Sequence, residues 1–154
     1  MIRLWLVRTV LACTALAACS EREVPVGQDS ITGDVIYEHT HFGDEGLERA
    51  VRRALEKPTG TLGTDELAAL SALQAGSEGV VSLQGVEALS GLVSLYLSDN
   101  ALSDIGPLSA LSRLQVLDLS GNAVSDISSL APLRQLTHLN LDDNKVIDIG
   151  PLRT

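Results

Sequence analysis

Aromatic residues and cysteines are both scarce in this sequence. One Trp, two Tyr and one Phe make up 3% of its 154 residues, while 45% of the residues are hydrophobic. A compact core of this size usually recruits more rings, so a core of Leu, Ala, Val and Ile indicates a repetitive interior. The only cysteines are Cys13 and Cys19, and Cys13 lies in the targeting segment described below. The single remaining cysteine excludes an internal disulfide framework.

Positive charge is scarce as well. The chain has 11 Lys and Arg against 20 Asp and Glu, which gives a formal net charge of −9. Nucleic-acid binding needs clustered Lys and Arg to neutralise phosphates, so the composition argues against a DNA or RNA partner. The sequence also lacks a nucleophile–base motif, a glycine-rich phosphate loop and a Glu-flanked His pair on a helix. We therefore predict a protein that is not an enzyme and needs no cofactor.

The N-terminal apolar stretch is too short to span a membrane. It runs from Thr9 to Ala18, ten residues, whereas a transmembrane helix needs roughly 20. Arg3 and Arg8 provide the positive charge typical of the start of an export signal. Residues 1–18 are therefore predicted to be a secretory signal peptide.

The small residues before Cys19 refine this prediction. The segment Leu16 to Ser20, "LAACS", resembles the lipobox of bacterial lipoproteins. The resemblance implies cleavage before Cys19, a diacylglyceryl thioether on its sulfur and acylation of its amino group. Several lipid chains anchor a protein stably in a membrane. Ser20 resembles the outer-membrane sorting choice of Gram-negative bacteria. The alternative is an ordinary signal peptide with an incidental cysteine.

A polar segment follows the predicted anchor. Residues 19–41 are acidic and are interrupted by one proline and two glycines, which indicates a tether before a folded domain. His39 and His41 lie two positions apart, so on an extended strand they could share one face and bind a metal such as zinc. Solvated histidines are commoner in a polar tether, and we predict no metal site.

The segment "DEGLERAVRRALEK" has a helical pattern. Asp44 is placed to cap its start, and Pro58 and Gly60 are placed to end it. A second short helix is predicted from about Asp65 to Leu70, capped by Thr64. The apolar stripe of the first helix consists of Leu47, Ala50, Val51, Ala54 and Leu55.

A repeat of 22 residues occupies the rest of the chain. Asn100, Asn122 and Asn144 are spaced by 22 residues, and aligning them brings the apolar residues around them into register. A degenerate earlier copy has Glu78 at the asparagine position. We count one degenerate repeat, two complete repeats and one truncated repeat over residues 70–152. The matching positions are Leu92, Leu114 and Leu136; Leu95, Leu117 and Leu139; Leu97, Leu119 and Leu141; Leu102, Val124 and Val146; Ile105, Ile127 and Ile149; and Leu108, Leu130 and Leu152.

The leucine spacing predicts a short strand and a turn in each repeat. Leu117 and Leu119 point inward and Asp118 points outward, because alternate side chains of a strand face opposite sides. A turn inside a stack buries backbone groups, and each unpaired group costs about 1–3 kcal/mol. Since an amide side chain both donates and accepts, Asn122 is predicted to bridge its own turn and the next one. One repeat cannot order itself alone, so the repeats must stack.

The pattern LxxLxLxxNxxxDIxxLxxLxxL resembles the leucine-rich repeat, in particular the 22-residue class of bacterial internalins. The resemblance covers Phe42 to Leu152, and residues 42–69 look like the helical N-terminal cap of such proteins. It implies an α/β fold, a right-handed solenoid with a parallel β-sheet on the concave face and 3₁₀ or irregular segments on the convex side. It also implies that the concave face binds a protein, or sometimes a glycan.

Outward positions of the predicted strands form the candidate binding site. Tyr96 is the one large aromatic residue among them, and aromatic residues are enriched among interface anchors. Asp118, His138, Asn140 and Asp142 are placed to surround it with polar contacts. An ordinary solvated sheet face is the alternative. The outward columns are Ala72, Ser94, Val116 and His138; Gln74, Tyr96, Asp118 and Asn140; and Gly76, Ser98, Ser120 and Asp142.

An aspartate precedes the isoleucine in each of the last three repeats. These residues are Asp104, Asp126 and Asp148. A ladder of aspartates could bind cations, but each lies at a turn. We predict that they accept hydrogen bonds from nearby backbone amides.

Together these features predict an exported module that is anchored to the bacterial envelope, most simply the outer membrane, through lipidated Cys19. It binds a protein or glycan partner there. Typical internalin-like proteins have more repeats and a polar C-terminal cap, whereas Ile149 and Leu152 would lie at an open edge here. The alternative is an assembly protein that associates through that edge, with itself or with a partner's repeats.

Overall fold

The computed structural model describes residues 41–153. The predicted signal peptide, Cys19 and His39 lie outside this range, so what we predict of them stays a prediction. The described part contains two α-helices, four β-strands and four 3₁₀ segments. We call residues 70–91, 92–113, 114–135 and 136–153 coils 1 to 4, each of which contains one strand.

Helix α1 spans Glu45–Ala54 and begins at the predicted cap. Asp44 Oδ1 accepts hydrogen bonds from the N–H groups of Gly46 at 2.8 Å and Leu47 at 3.0 Å. The helix ends before Pro58, because Glu56 adopts a left-handed conformation with φ of 52°. Ala54, predicted to be in the apolar stripe, is therefore exposed at the helix end. Leu47, Ala50 and Val51 are buried as expected.

Helix α2 spans Thr64–Ala69, and the prediction of its cap was wrong. Gly63, not Thr64, is the N-cap, and Thr64 is the first helical residue. The Glu66 side chain accepts a hydrogen bond from the Gly63 N–H at 3.1 Å and so satisfies a backbone donor at the helix start. A glycine without a side-chain acceptor is hard to recognise as a cap when a threonine follows it.

The four strands pair in parallel in chain order, as predicted from the repeat. They are β1 (Ala72–Gln74), β2 (Ser94–Tyr96), β3 (Val116–Asp118) and β4 (His138–Asn140). Each residue pairs with the one 22 positions further along the chain, as Leu73 does with Leu95. The solenoid and its parallel sheet are thereby confirmed.

The convex side of the solenoid is made of 3₁₀ segments, as expected. They span Val86–Ala88, Gly106–Ala110, Ser128–Leu130 and Gly150–Leu152. The three repeated aspartates lie just before the last three of these segments, and each accepts a hydrogen bond from the N–H two residues ahead. The pairs are Asp104 with Gly106 at 2.8 Å, Asp126 with Ser128 at 2.8 Å and Asp148 with Gly150 at 2.7 Å. The predicted local role of these aspartates is confirmed.

One position of the repeat is left-handed in all four coils. Its occupants are Ser77, Asp99, Gly121 and Asp143, with φ between 54° and 65°. Only Gly121 adopts this conformation without steric cost. A Cβ atom at Gly121 would also lie 2.6 Å from Asp99 Oδ1 in the preceding coil, so the glycine permits close stacking there.

The core is a continuous column of aliphatic side chains. Successive strands contribute Leu73, Leu95 and Leu117, each at most 1% exposed, whereas the equivalent Leu139 in coil 4 is only partly buried. Helix α1 covers coil 1, so the core begins under that helix. The strands position their alternate residues outward, where the candidate site lies.

Candidate functional site

The concave face consists of the outward side chains of the four strands. None of the twelve positions in the three predicted columns is buried, whereas the leucines between them are buried in β1 to β3 and partly buried in β4. Tyr96 pairs laterally with Asp118, and Asp118 with Asn140. Val116 pairs with His138 in the neighbouring column. Adjacent strands lie about 4.8 Å apart, so these side chains are near neighbours.

A shallow concavity of about 410 Å³ lies over strands β2 to β4. Its lining includes four of the five predicted site residues, Tyr96, Asp118, His138 and Asn140. The fifth, Asp142, is exposed beyond the end of β4 and does not line the concavity. The remaining lining residues are Val116, Leu117, Thr137 and Leu139.

Local hydrogen bonds hold two of the polar side chains in place. Asp118 Oδ1 accepts from the N–H of Ser120 at 2.9 Å and from its hydroxyl at 2.7 Å. Asn140 Oδ1 accepts from the N–H of Asp142 at 3.0 Å. Both side chains are therefore oriented before any partner arrives, and among residues 41–153 each keeps its second polar atom without a hydrogen bond.

His138 is held by Thr137, a residue that the sequence analysis did not single out. The Thr137 hydroxyl donates to the Gln115 carbonyl at 3.1 Å and lies 3.0 Å from His138 Nδ1. Since a hydroxyl has one hydrogen, Nδ1 must donate to Thr137 Oγ1 when that hydrogen is used for Gln115. In the tautomer whose proton is on Nδ1, Nε2 is an acceptor. The sequence feature that could have pointed to Thr137 is its position directly before His138, which is a member of an outward column.

The asparagines of the repeat join successive coils. Asn122 Nδ2 donates to the carbonyls of Leu119 and Ser120 in its own coil, and to Leu97 in the coil before. Its Oδ1 accepts from the Leu102 N–H at 3.0 Å, also in the coil before. The amide thus bridges two coils, but the second is the preceding coil and not the next one. Asn100 and Asn144 make the equivalent bonds.

Coil 1 has no coil before it, and Glu78 at its asparagine position turns to α1 instead. The Glu78 carboxylate forms ion pairs with Arg49, at 3.8 Å, and with Arg53. Its carbonyl accepts from Arg49 Nη2 at 3.1 Å. A Cβ atom at Gly46 would lie 2.5 Å from the same carbonyl oxygen, so glycine is needed where the helix meets the coil.

Asp44 is a second link between α1 and coil 1. While Oδ1 caps the helix, Oδ2 accepts from the N–H groups of Val81 at 2.8 Å and Ser82 at 3.3 Å. Burial raises the pKa of Asp44, but the four backbone donors stabilise its charged form more strongly, so the pKa lies below its ordinary value. The helix and the first coil thus share one ionised carboxylate.

The described residues offer neither a metal centre nor a membrane span. Between residues 41 and 153, no three His, Cys, Asp or Glu side chains are arranged to hold a metal ion. Over the same range, no helix is long and apolar enough to cross a bilayer. His41 is exposed at the start of this range. The concavity on the sheet therefore remains the candidate site.

Comparison with known proteins agrees with this architecture. Residues 90–132 match a family model described as leucine-rich repeats in two copies. An internalin of Listeria monocytogenes, InlF, is 36% identical, with a TM-score of 0.71 over 72% of this chain and 33% of that one. Internalin C2 of the same species is 29% identical, with a TM-score of 0.72 over 79% of this chain and 56% of that one.

A third similar structure is the functional domain of InlJ from Listeria monocytogenes, which includes a cysteine ladder. It is 29% identical, with a TM-score of 0.66 over 71% of this chain and 25% of that one. A comparison with curated proteins gave no match. This chain spans between a quarter and little more than half of the length of these solved structures. It carries leucine-rich repeats and folds as an internalin-like leucine-rich-repeat solenoid, a fold typical of protein-binding scaffolds.

Proposed function

We propose that this chain is an exported, lipid-anchored binding module whose concave face recognises a macromolecule at the bacterial envelope. The anchor is Cys19, and residues 20–41 space the solenoid from the membrane. The partner is a protein, with a glycan as the less favoured class. The module has no catalytic role in this proposal; it acts by presenting a surface.

The observation that carries the proposal is the concavity over β2 to β4. An aromatic side chain, Tyr96, and three polar ones, Asp118, His138 and Asn140, converge there on a surface of four parallel strands. Aromatic residues surrounded by polar groups are typical of the energetically important part of an interface. Apart from Val116, which also lines the concavity, the rest of the outward columns are small or polar, as expected for the rim of such a site.

Preorganisation supports the same proposal. Ser120 fixes Asp118, and the Asp142 N–H fixes Asn140. Association costs less free energy when side chains are already ordered in the free protein. A stack of coils joined by asparagine side chains also limits backbone movement under the site.

Capture from envelope extract tests the concave site. The full chain would be immobilised, the bound protein identified and its affinity measured for Tyr96→Ala and Ile147→Ala. Ile147 is the matched control, because it is 97% exposed and apolar but absent from the lining of the concavity. We expect Tyr96→Ala to weaken binding about tenfold and Ile147→Ala to leave it unchanged. Unchanged binding by Tyr96→Ala overturns the concave proposal.

Membrane fractionation tests the anchor separately. The full chain expressed in a Gram-negative host should partition with membranes, and Cys19→Ala should release it to the soluble fraction. A membrane association that survives Cys19→Ala contradicts lipidation at this residue. The small Ser20 neighbour offers a control, because Ser20→Ala leaves the modified cysteine in place.

A second candidate function is favoured by the apolar surface of coil 4. Ile147 is 97% exposed, Ile149 60% and Leu152 38%, and Leu136 and Leu139 line a concavity of about 240 Å³ beside Leu152. Such a surface can stack on another molecule's repeats. If this surface associates with itself, the double variant Ile147→Asp and Ile149→Asp would abolish self-association in sedimentation experiments, whereas Tyr96→Ala would not. A wild-type chain that stays monomeric removes self-association through this surface, and a captured partner that still binds Ile147→Asp with Ile149→Asp removes stacking on a partner's repeats.

A further inference from the structure

We infer that the concavity receives a basic side chain of the protein partner, an arginine in particular. The inference rests on the proposed binding function of the concave face and names the chemistry of what it binds. Three features carry it: the hydrogen-bonding atoms left available in the site, the ring and methyl surface beside them, and the charge of the whole face.

The strongest available acceptor of the site is the Asp118 carboxylate, beside the Asn140 amide nitrogen, a donor, and the Tyr96 hydroxyl, which both donates and accepts. Within the described residues, Asp118 Oδ2 has no hydrogen-bond partner, since Oδ1 alone receives Ser120. His138 Nδ1 lies 3.0 Å from the Thr137 hydroxyl oxygen, and Nε2 is an acceptor in the tautomer whose proton is on Nδ1. A guanidinium group has five N–H donors and no acceptor, so it complements these two atoms. A carboxylate or phosphate ligand would be repelled by the Asp118 carboxylate.

The apolar part of the site suits the rest of an arginine side chain. Val116 is half-buried and lies between Ser94 and His138 in its column. Methylene groups pack on such a surface while the charged end stays polar. Tyr96, next to Asp118 across the strands, offers a ring on which a guanidinium stacks through cation–π attraction. Lysine shares the charge but not the flat, stacking geometry.

The charge of the face points to the same ligand. The twelve outward positions include Asp118 and Asp142 but no Lys or Arg, and the chain has a net charge of −9. Asp99 and Asp143 are exposed just beyond the strand ends. Electrostatic complementarity speeds encounter with a basic partner and disfavours acidic ones. A neutral glycan would gain no long-range electrostatic attraction from this charge.

Nuclear magnetic resonance titration of the full chain tests the inference with defined probes. N-acetyl-arginine amide would be added in one series and N-acetyl-citrulline amide in another, because citrulline has the same shape without the charge. N-acetylglucosamine would be added in a third. We expect the arginine probe to shift the resonances of Val116 and His138, and the citrulline probe to bind about threefold more weakly.

Two charge-matched variants locate the effect. Asp118→Asn keeps the acceptor for Ser120 and should weaken arginine binding about threefold. Asp104→Asn makes the same charge change on the convex side, where Asp104 accepts from Gly106, and should leave binding unchanged. Equal loss in both variants would mean diffuse attraction to an acidic protein and would overturn the inference.

The remaining outcomes separate this inference from the proposed function. Equal shifts with citrulline, stronger shifts with the sugar, or no shift at Val116 and His138 each overturn the basic-ligand inference. None of these outcomes changes the interpretation of the capture experiment, in which Tyr96→Ala decides whether the concave face binds at all. A captured partner that depends on Tyr96 but not on Asp118 would leave the function standing and remove the arginine.

Discussion

The first and last coils of the solenoid have the same leucines but different burial. Leu73 in coil 1 is 1% exposed because α1 and coil 2 enclose it. Leu139 occupies the same position in coil 4 and is only partly buried, because no described residue covers its far side. Burial in this fold is thus set by the neighbouring unit and not by the residue itself.

At the asparagine position, coil 1 is the exception and coil 4 is not. Each asparagine bonds its own coil and the coil before it, so Asn144 in coil 4 is as fully bonded as Asn122 in coil 3. Coil 1 is the one that lacks a preceding coil, and it has Glu78 bound to α1 instead. The burial of the core leucines is therefore reduced at the C-terminal end of the solenoid. The hydrogen bonding at the asparagine position is changed at the N-terminal end instead.

The largest expected effect is on a central leucine. Leu95→Ala leaves a cavity between two covering coils and should lower the free energy of unfolding by about 2–5 kcal/mol. Leu139→Ala should cost less than half as much, because its side chain already contacts solvent. Urea denaturation followed by circular dichroism measures both. Equal losses would contradict the difference between the coils.

The asparagine ladder should respond equally in the two coils. Asn122→Ala and Asn144→Ala each remove donors to three carbonyls and an acceptor for one N–H. Each should lower the free energy of unfolding by about 1–3 kcal/mol. The same urea experiment applies. A much smaller loss for Asn144→Ala would show that the amide depends on a following coil after all.

Acid should weaken the N-terminal end through Asp44. The pKa of Asp44 is lowered from 3.8 in the folded chain, so its contribution is present above that value and is lost as pH falls through the folded pKa. Asp44→Asn replaces one carboxylate oxygen by a donor and leaves the N–H groups of Val81 and Ser82 without their acceptor, so it should cost about 1–3 kcal/mol at neutral pH, and the cost should shrink towards pH 2. Unfolding free energies at several pH values measure this. A cost independent of pH would contradict the ionised link.

The smallest effect concerns Glu78. Glu78→Gln removes ion pairs with Arg49 and Arg53, whose side chains are 58% and 62% exposed. Solvent screening limits such pairs to about 0–1 kcal/mol. Thermal unfolding at low and high salt should show a small loss that disappears with salt. A loss that persists at high salt would indicate that packing, not charge, joins the helix to the coil.

The sequence predicted the features that the repeat dictates. A period of 22 residues determined the register of β1 to β4 and the inward leucines, because every coil must stack on an equivalent one. Features confined to one place were harder to predict. Gly63 caps α2 through another residue's side chain, and Glu56 ends α1 by adopting a left-handed conformation. Neither depends on a periodic pattern.

In the candidate site, too, the periodic features were predicted and the local ones were not. Alternation along the strands predicted that Tyr96, Asp118, His138 and Asn140 would share one face. The role of Thr137 in fixing His138 depends on a hydroxyl contact across strands, which spacing alone does not reveal. Ile147 was also missed, because the equivalent positions in coils 2 and 3 are serines, although coil 1 has the exposed Val81 there.

Carboxylate footprinting of the captured complex tests the central claim most directly. Aspartates lie on both faces of the solenoid: Asp118 and Asp142 on the concave side, Asp104 and Asp126 on the convex side. Carbodiimide labelling with and without the partner, read by mass spectrometry, reports which face is covered. We predict that the partner protects Asp118 and leaves Asp104 and Asp126 unchanged. Protection of the convex aspartates with Asp118 still labelled would contradict binding through the concave face.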